Sequence, residues 1–322
     1  MAHEMIMADM GRSASDKERL RDIAQKFGIE VHYTDEADEK ELSEARVLLI
    51  GFGAYSRLTE HLKGMKSLRV IQTLSAGVDR VPLGQIPEDI MVCSNAGAYS
   101  VPIAEHALAM ILALSKRLKY NEQRMRTGIF DQRSYNGLLQ GRVLCVLGYG
   151  GIGSRTAELA RCLGMKIFAV SRQKVENVDA WGTLAELDNM LHEIDVLLIS
   201  IPLNKHTTSL IDSRRLKLMK DTAILVNVAR GEIVVEEDLY NHLIDVPTFS
   251  AGLDVWWDEP RGGKEFRPAH DFLALPNVIA SPHNSGIVEG IEEMAASHAL
   301  RNIAAYLSGG KPSGIVRRED YI

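Results

Sequence analysis

The chain lacks the features that mark several classes of protein. It has 322 residues but three cysteines, Cys93, Cys145 and Cys162, and no CxxC pair. An odd number without paired spacing supports neither a disulfide framework nor a zinc site, so we expect no metal. Cys145 and Cys162 are expected to be small core residues. No apolar run approaches the roughly 20 residues that are needed to span a bilayer.

The chain also has no excess of positive charge, since 43 Asp and Glu outnumber 37 Lys and Arg. The formal net charge is −6, which supplies no general attraction for nucleic acid or an anionic membrane. The first residues, MAHEMIMADMGRS, have neither the basic segment nor the long apolar segment of a secretory signal. We therefore expect a cytoplasmic protein that binds neither nucleic acid nor membrane.

Short apolar strands alternate with helical patterns along both halves of the chain, which predicts parallel α/β sheets in two similarly built domains. PIAEHALAMILALSKRLK, between Val101 and Lys119, predicts one long buried helix that connects them. Further helices are expected over residues 181–194 and 207–219, and a final one over Val288–Gly310.

The strongest motif lies in the middle of the chain. A β-rich run, Arg142–Gly148, enters GYGGIG (Gly148–Gly153), and an amphipathic helix and a second strand, MKIFAVSR, follow. This order is typical of a dinucleotide-binding βαβ unit. Gly148 permits the tight turn, Gly150 lets a pyrophosphate approach the backbone, and Gly153 lets the helix pack on the strand. The alternative is a glycine-rich turn that binds nothing.

Three later segments each end a predicted strand: Val226–Val234 (VNVARGEIV), Gly252–Pro260 (GLDVWWDEP) and Ser281–Gly286 (SPHNSG). Ligands of open α/β sheets bind at the carboxyl ends of strands. Arg230, Glu259 and His283 could therefore converge on one cleft. Alone, Arg230 could equally be a surface arginine before a turn glycine, Glu259 would more often be a loop carboxylate, and His283 could be a helix-entry histidine. Their joint order after a nucleotide motif favours a site.

The chemistry of these three side chains fits one reaction. Histidine can give a proton to the alkoxide that forms when a ketone accepts a hydride, or remove it in reverse. Glu259 would fix the histidine tautomer, and Arg230 would bind a carboxylate through two parallel hydrogen bonds. Together they indicate a small 2-keto or 2-hydroxy acid as substrate.

The ordered motifs resemble the D-isomer-specific 2-hydroxyacid dehydrogenases, which include glyoxylate and hydroxypyruvate reductases. The resemblance implies an α/β fold of two Rossmann-like domains. One is a discontinuous, flavodoxin-like substrate domain (1–100 and 287–322), and the other is a doubly wound dinucleotide-binding domain (101–286). It also implies a homodimer formed through the Val101–Gln140 arm, in which Phe130 stands where a tryptophan is common.

The same resemblance assigns the site residues. Arg230, Glu259 and His283 would be catalytic, and Ser75, Ala76 and Gly77 of the SAGVD loop would bind the substrate carboxylate together with Arg230, with Asn95 near that site. Trp256 or Trp257 could line the pocket. The cofactor would contact Gly148, Gly150, Gly151, Ile152, Gly153, Ser171, Arg172, Pro202, Ala229 and Asp254.

Two departures sharpen the prediction. Relatives that prefer NAD usually carry an acidic residue at the end of the second strand of the βαβ unit, but Ser171 and Arg172 stand here, with Lys174 nearby. We therefore expect NADP(H) to be preferred, with NAD(H) possible. Glu259 argues against formate dehydrogenase, whose pattern has glutamine there. An alternative is a nucleotide-sensing binding protein that resembles the corepressor branch of the same family.

Overall fold

The computed structural model of the protein describes residues 4–10, 14–260 and 263–322. Contacts divide the chain into two compact units, Met1–Tyr99 with Val288–Ile322, and Ser100–Ile287. These bounds differ by one residue from those expected above. In the described ranges, no helix is both long enough and apolar enough to cross a membrane.

Strands and helices alternate through the described ranges. The strands are β1 Glu4–Asp9, β2 Ile29–Tyr33, β3 Val47–Ile50, β4 Val70–Thr73, β5 Met91–Cys93, β6 Val143–Leu147, β7 Lys166–Val170, β8 Ala180–Gly182, β9 Val196–Ile199, β10 Ile224–Asn227, β11 Ser250–Leu253 and β12 Val278–Ala280. The α-helices are α1 Ala14–Gln25, α2 Glu39–Glu44, α3 Leu58–Gly64, α4 Ser100–Ser115, α5 Leu118–Arg126, α6 Gly151–Cys162, α7 Leu187–Leu191, α8 Ser213–Leu216, α9 Glu236–Asp245 and α10 Ile291–Leu307.

The first unit is built on a parallel sheet with the strand order β2-β1-β3-β4-β5, which is the flavodoxin-like order. Alternate side chains of a strand point to opposite faces. Ile6 and Ala8 of β1 accordingly pack in a cluster with α1 and α10, whereas Met7 packs in a second cluster with Leu58 of α3. Both faces of this sheet are therefore covered.

The second unit has a longer parallel sheet with the order β12-β11-β10-β9-β6-β7-β8. This is the doubly wound dinucleotide-binding order, in which β6 lies beside the reversal point. Helix α4 packs against α6 and against β10, β11 and β12. Its Ala107, Met110 and Leu114 join the core of the sheet through Val146 and Val226. The predicted fold class is thus confirmed.

Several local predictions were wrong. The sequence predicts no element for the first residues, because EMIMAD has few β-branched residues to indicate a strand. In the structure this segment is β1, which lies inside the first sheet. The helix expected over 181–194 is strand β8 followed by the short α7. Within 207–219 only α8 is an α-helix, because Ile211 instead pairs with Val234 in an isolated bridge.

Two further expectations need correction near the connecting helix and in α6. The helix expected from Val101 to Lys119 breaks at Arg117, whose φ of 52° lies in the left-handed region. Cys162 is exposed at the end of α6, whereas Cys93 and Cys145 are buried. The spacing of apolar residues does not show which side of the last turn of α6 faces the core, and Cys162 lies on the outer side.

Asp9 ends β1 as a buried acid that holds two basic side chains. It is 6% exposed, and it accepts hydrogen bonds from Arg57 Nε (2.9 Å), Arg57 Nη2 (2.5 Å) and His61 Nε2 (2.6 Å). Burial raises the pKa of Asp9, but the hydrogen bonds from Arg57 and His61 outweigh it and leave the pKa below its ordinary value. The charged carboxylate is therefore the form that stabilises the fold.

We expect Asp9→Asn to lower the free energy of unfolding at pH 7 by about 2 kcal/mol, because hydrogen bonds to charged groups contribute on this order. A depressed folded pKa gives stability that is present above the unfolded pKa and lost as the pH falls through the folded pKa. The variant should therefore lose less stability than the parent below about pH 4. Urea unfolding followed by far-ultraviolet circular dichroism at several pH values measures both effects.

Asp35→Asn is the matched control in the same unit. Its carboxylate pairs with Lys17 but is 68% exposed, and exposed ion pairs contribute about 0–1 kcal/mol. Equal losses for the two variants would contradict a special role for Asp9.

Candidate active site

The glycine turn after β6 is constrained by the fold at two positions. Gly148 has a φ of +100°, and a Cβ there would lie 2.6 Å from Ile201 Cγ2. A Cβ at Gly153 would lie 2.1 Å from the carbonyl oxygen of Gly148 and 2.6 Å from Val146 Cγ1. Real Cβ atoms do not approach backbone so closely, so glycine at these two positions is required by packing alone.

Gly150 is different, because no described residue requires a glycine there. It is the N-cap of α6 with a φ of −85°, and a Cβ would meet no heavy atom of the described residues within 4 Å. The N–H groups of the first helical turn, at Gly151, Ile152 and Gly153, have no partner within the helix and carry the positive end of its dipole. Open space beside these N–H groups fits the pyrophosphate of a dinucleotide.

The end of β7 presents basic rather than acidic side chains. Arg172 and Lys174 are exposed. The Ser171 hydroxyl donates to the carbonyl oxygen of Gln173 (2.6 Å) and accepts from Trp181 Nε1 (3.0 Å). Its proton is therefore already used inside the protein, which leaves the basic side chains as the groups that could bind a ribose phosphate.

Pro202 and Ala229 lie just beyond two neighbouring strands of this sheet. Pro202 follows β9, and its carbonyl oxygen accepts from Thr207 Oγ1 (2.7 Å). Ala229 follows β10, and its N–H donates to Asn227 Oδ1 (3.0 Å). Both are thus in loops at the carboxyl edge, where the cofactor contacts were expected.

Asn227 also holds Arg230 in place. It is fully buried at the end of β10, and its Nδ2 donates to the carbonyl oxygen of Arg230 (2.8 Å). Arg230 Nη1 donates to the carbonyl oxygen of Ala229 (2.7 Å). A Cβ at Gly231 would lie 2.5 Å from the backbone carbon of Trp256, so the Arg230 turn packs closely on the chain that leaves β11.

His283 and Glu259 form a directly bonded pair. Nδ1 of His283 lies 2.7 Å from Glu259 Oε1, and the side chains are 39% and 18% exposed. A carboxylate only accepts, so Nδ1 carries the proton that is donated to Glu259. The other ring nitrogen, Nε2, is then the atom that can exchange a proton with a ligand.

The backbone of His283 is held in an unusual conformation by Asp254. His283 has a φ of 52°, a region that costs a non-glycine residue on the order of 1 kcal/mol. Its N–H donates to the carbonyl oxygen of Asp254 (2.7 Å). The fully buried Asp254 carboxylate accepts the N–H groups of Asn284 (3.1 Å) and Ser285 (3.2 Å). Asp254 therefore fixes the segment that carries the histidine.

The SAGVD loop lies in the first unit, after β4. Thr73 Oγ1 donates to the carbonyl oxygen of Ser75 (2.7 Å), and Ser75 Oγ donates to that of Gly77 (2.7 Å). Because the Ser75 proton is used, Tyr55 OH donates to Ser75 Oγ (2.5 Å), and burial raises the pKa of Tyr55, which keeps it protonated. Within the described residues the N–H groups of Ala76 and Gly77 donate to no protein acceptor. They are thus available to an anion.

Asn95 anchors the same loop from β5. It is fully buried, and its Nδ2 donates to the carbonyl oxygens of Leu74 (3.1 Å) and Ala295 (2.9 Å). Its Oδ1 therefore faces His298 Nδ1 (2.8 Å), which must donate. Burial lowers the pKa of His298, which favours this neutral donor. The sequence alone gives no sign of this role for His298, since nothing in an apolar helix marks its distant partner.

The structure shows direct contacts between some of the predicted residues. For the others it shows only which strand they follow or which unit they belong to. Glu259 bonds to His283, and Asp254 holds the His283 backbone. Arg230 lies on the adjacent strand end of the same unit. Ser75, Ala76 and Gly77 belong to the first unit.

Comparison with known proteins assigns the family. Residues 108–285, more than half of the chain, match the family model described as the D-isomer specific 2-hydroxyacid dehydrogenase, NAD binding domain. The chain belongs to the D-isomer-specific 2-hydroxyacid dehydrogenase family. It is accordingly an NAD(P)-dependent dehydrogenase.

Curated relatives and solved structures agree with this assignment. The chain is 31% identical to a glyoxylate reductase of Aeropyrum pernix (94% of this chain, 93% of the relative) and 30% identical to a hydroxypyruvate reductase of Thermotoga maritima (83% and 88%). It is also similar to the crystal structure of D-lactate dehydrogenase from Aquifex aeolicus with NAD and lactic acid, with 30% identity, 95% and 96% coverage and a TM-score of 0.72. These relatives are enzymes, and they give the corepressor-like alternative no support.

The contrast between Gly150 and Gly153 yields a test of the nucleotide site. We expect Gly150→Ala to weaken cofactor binding roughly tenfold to a hundredfold, since a methyl group there would enter the space proposed for the pyrophosphate, with the melting temperature unchanged. Isothermal titration with the cofactor and thermal unfolding measure the two quantities.

Gly153→Ala is the opposite case. Its Cβ would lie 2.1 Å from a backbone oxygen, so it should destabilise the protein without a ligand. Unchanged affinity in Gly150→Ala would show that the open space beside α6 is not the binding site.

Proposed function

We propose that this dehydrogenase reduces a small 2-keto acid, such as glyoxylate or hydroxypyruvate, to the D-2-hydroxy acid, with NADP(H) as the preferred cofactor and His283 as the general acid and base. The observation that carries the proposal is the His283–Glu259 pair at 2.7 Å, on a segment held in a strained conformation. Strain of this kind is found where geometry serves a reaction.

The chain's own residues can perform each proton and binding step. When bound, the cofactor supplies or accepts the hydride. In reduction, His283 Nε2 gives a proton to the carbonyl oxygen of the substrate as negative charge develops there. Glu259 accepts a hydrogen bond from the Nδ1–H of His283 throughout and stabilises the positively charged imidazolium before proton transfer.

Carboxylate recognition is assigned to two groups. Arg230 can bind a carboxylate through two parallel hydrogen bonds and polarise the neighbouring carbonyl. In the first unit, the N–H groups of Ala76 and Gly77 can donate to a carboxylate, because the hydrogen bonds of Thr73 and Ser75 fix the conformation of the loop. The printed names of the relatives, glyoxylate reductase and hydroxypyruvate reductase, support small substrates of this class.

The cofactor preference rests on the end of β7. Arg172 and Lys174 are basic side chains in the loop after β7, where a ribose 2′-phosphate is proposed to bind, and no carboxylate stands at 171–174. Lys174 also pairs with Glu176 (3.3 Å), so less of its charge is available. The Ser171 hydroxyl is occupied by Gln173, so Arg172 is the main proposed contact. The Aquifex structure contains NAD, and the preference proposed here therefore comes from this chain's own residues.

A second copy of the chain is the proposed partner of one surface. Large apolar side chains are exposed on the segment from α5 to the start of β6, among them Phe130 (76%), Tyr135 (94%) and Leu138 (62%). Exposed apolar side chains that cluster on a surface mark interaction sites in proteins. We therefore propose that two copies of the chain form a homodimer through the Val101–Gln140 arm. The cytoplasmic location, which rests on the sequence alone, stays a prediction.

A panel of 2-keto acids tests the reaction. We expect reduction of one or more small members to the D-product, and His283→Ala should lower kcat by roughly 10²–10⁴-fold, because general acid catalysis contributes on that order. Glu259→Gln should give a smaller loss, since an amide still orients the ring. Binding of NADPH, followed by fluorescence, should stay nearly unchanged in both variants.

His192→Ala, at an exposed histidine outside the site, is the control and should keep full activity. Turnover retained by His283→Ala would refute the role of His283.

Arg172→Ala tests the cofactor preference. The parent should show a higher kcat/KM with NADPH than with NADH, and the variant should lose roughly tenfold or more with NADPH alone, because a charge-assisted hydrogen bond to phosphate is removed. Steady-state kinetics with both cofactors measure the ratio.

Arg19→Ala, at an exposed arginine of α1, should leave that ratio unchanged. Equal or NADH-favouring values in the parent would exclude the preference.

A further inference from the structure

His106 lies in α4 and reaches the catalytic segment through one hydroxyl group. Its Nε2 is 2.9 Å from Ser281 Oγ, which is 2.6 Å from Asp254 Oδ1. His106 Nε2 itself lies 3.9 Å from that carboxylate oxygen. All three residues belong to the second unit, and Asp254 is fully buried.

The direction of these hydrogen bonds follows from what each group can do. The Asp254 carboxylate already accepts two backbone N–H groups, from Asn284 and Ser285, so it acts as an acceptor. Ser281 Oγ therefore donates its proton to Asp254. The remaining lone pairs of Ser281 can only accept, so His106 Nε2 carries a proton and donates it.

This chain of donors ends on the backbone that bears His283. The same Asp254 oxygen that accepts from Ser281 also accepts the N–H of Asn284, and the Asp254 carbonyl oxygen accepts the N–H of His283. A fully buried carboxylate is stable only while its hydrogen bonds are made. A Ser281 hydroxyl that is free to rotate would weaken one of them and loosen the left-handed conformation at His283.

We propose that His106 is a positioning residue for the reaction: it orients the Ser281 hydroxyl, which fixes Asp254 and thereby the conformation of His283. This inference rests on the proposed role of His283. His106 itself lies in the helix that packs on β11 and β12, and its effect passes through the two side chains named above.

The experiment is a double-mutant cycle on kcat. His106→Leu and Ser281→Ala should each lower kcat roughly tenfold, the equivalent of about one net hydrogen bond, and the double variant should lose no more than either single variant. KM for the 2-keto acid should change little. His106→Gln should restore most of the rate, because its amide nitrogen can donate from a similar position.

Three results would overturn the proposal: an unchanged kcat in His106→Leu, losses that multiply in the double variant, or no recovery in His106→Gln beyond that in His106→Leu. His192→Leu, at an exposed histidine of the same unit, is the matched control and should behave as the parent.

A measurement without turnover keeps the two proposals apart. In protein with ¹⁵N-labelled histidine, NMR at pH 8 should show a proton on Nε2 of His106, and Ser281→Ala should shift that resonance. An unprotonated Nε2 would overturn the inference whatever the activity. Absence of 2-keto acid reduction in the parent, or full activity of His283→Ala, would instead contradict the proposed function.

Discussion

A parallel sheet places the carboxyl ends of all its strands on one edge, and the candidate site in the second unit depends on that constraint. Arg230, Glu259 and His283 are separated by long stretches of sequence. They nevertheless follow β10, β11 and β12, which pair side by side as parallel strands. The buried strands contribute little chemistry themselves. They fix where the chain leaves the sheet, and the loops then supply the reacting groups.

Fixing the strand ends is not sufficient, because a loop must also be held in one conformation. Buried polar side chains do this in both units. Asn227 holds the Arg230 turn, Asp254 holds the His283 segment, and Asn95 holds the loop after β4. Each is fully buried and bonded to backbone groups. An unsatisfied polar group at such a position costs roughly 1–3 kcal/mol, so the bonded arrangement is strongly preferred over alternatives.

Much of this organisation could be predicted from the sequence. Glycine spacing and apolar strands predicted the βαβ unit, and three short motifs predicted an arginine, a glutamate and a histidine at the ends of successive strands as the candidate site. Predictions were wrong where tertiary contacts overrule local preference: EMIMAD is a strand because neighbouring strands pair with it on both sides, and residues 181–194 begin with a strand because β7 pairs with β8.

Long-range partners were beyond sequence reasoning for the same reason. His106 and Ser281 are 175 positions apart, and His298 and Asn95 are 203 apart. No local pattern connects such pairs. Each histidine lies in a helix whose composition gives it no distinguishing feature.

The glycines show how the structure separates folding from function where the motif cannot. GYGGIG is one motif in the sequence, but its glycines have different roles. A Cβ at Gly148 or Gly153 would lie 2.6 Å or less from other protein atoms, whereas a Cβ at Gly150 would not. A glycine that no protein atom requires loses stability through its flexible unfolded state without a packing gain. Gly150 is therefore the one of these three glycines that packing does not explain, and the N–H groups of the first turn of α6 are the proposed contacts of an anionic ligand.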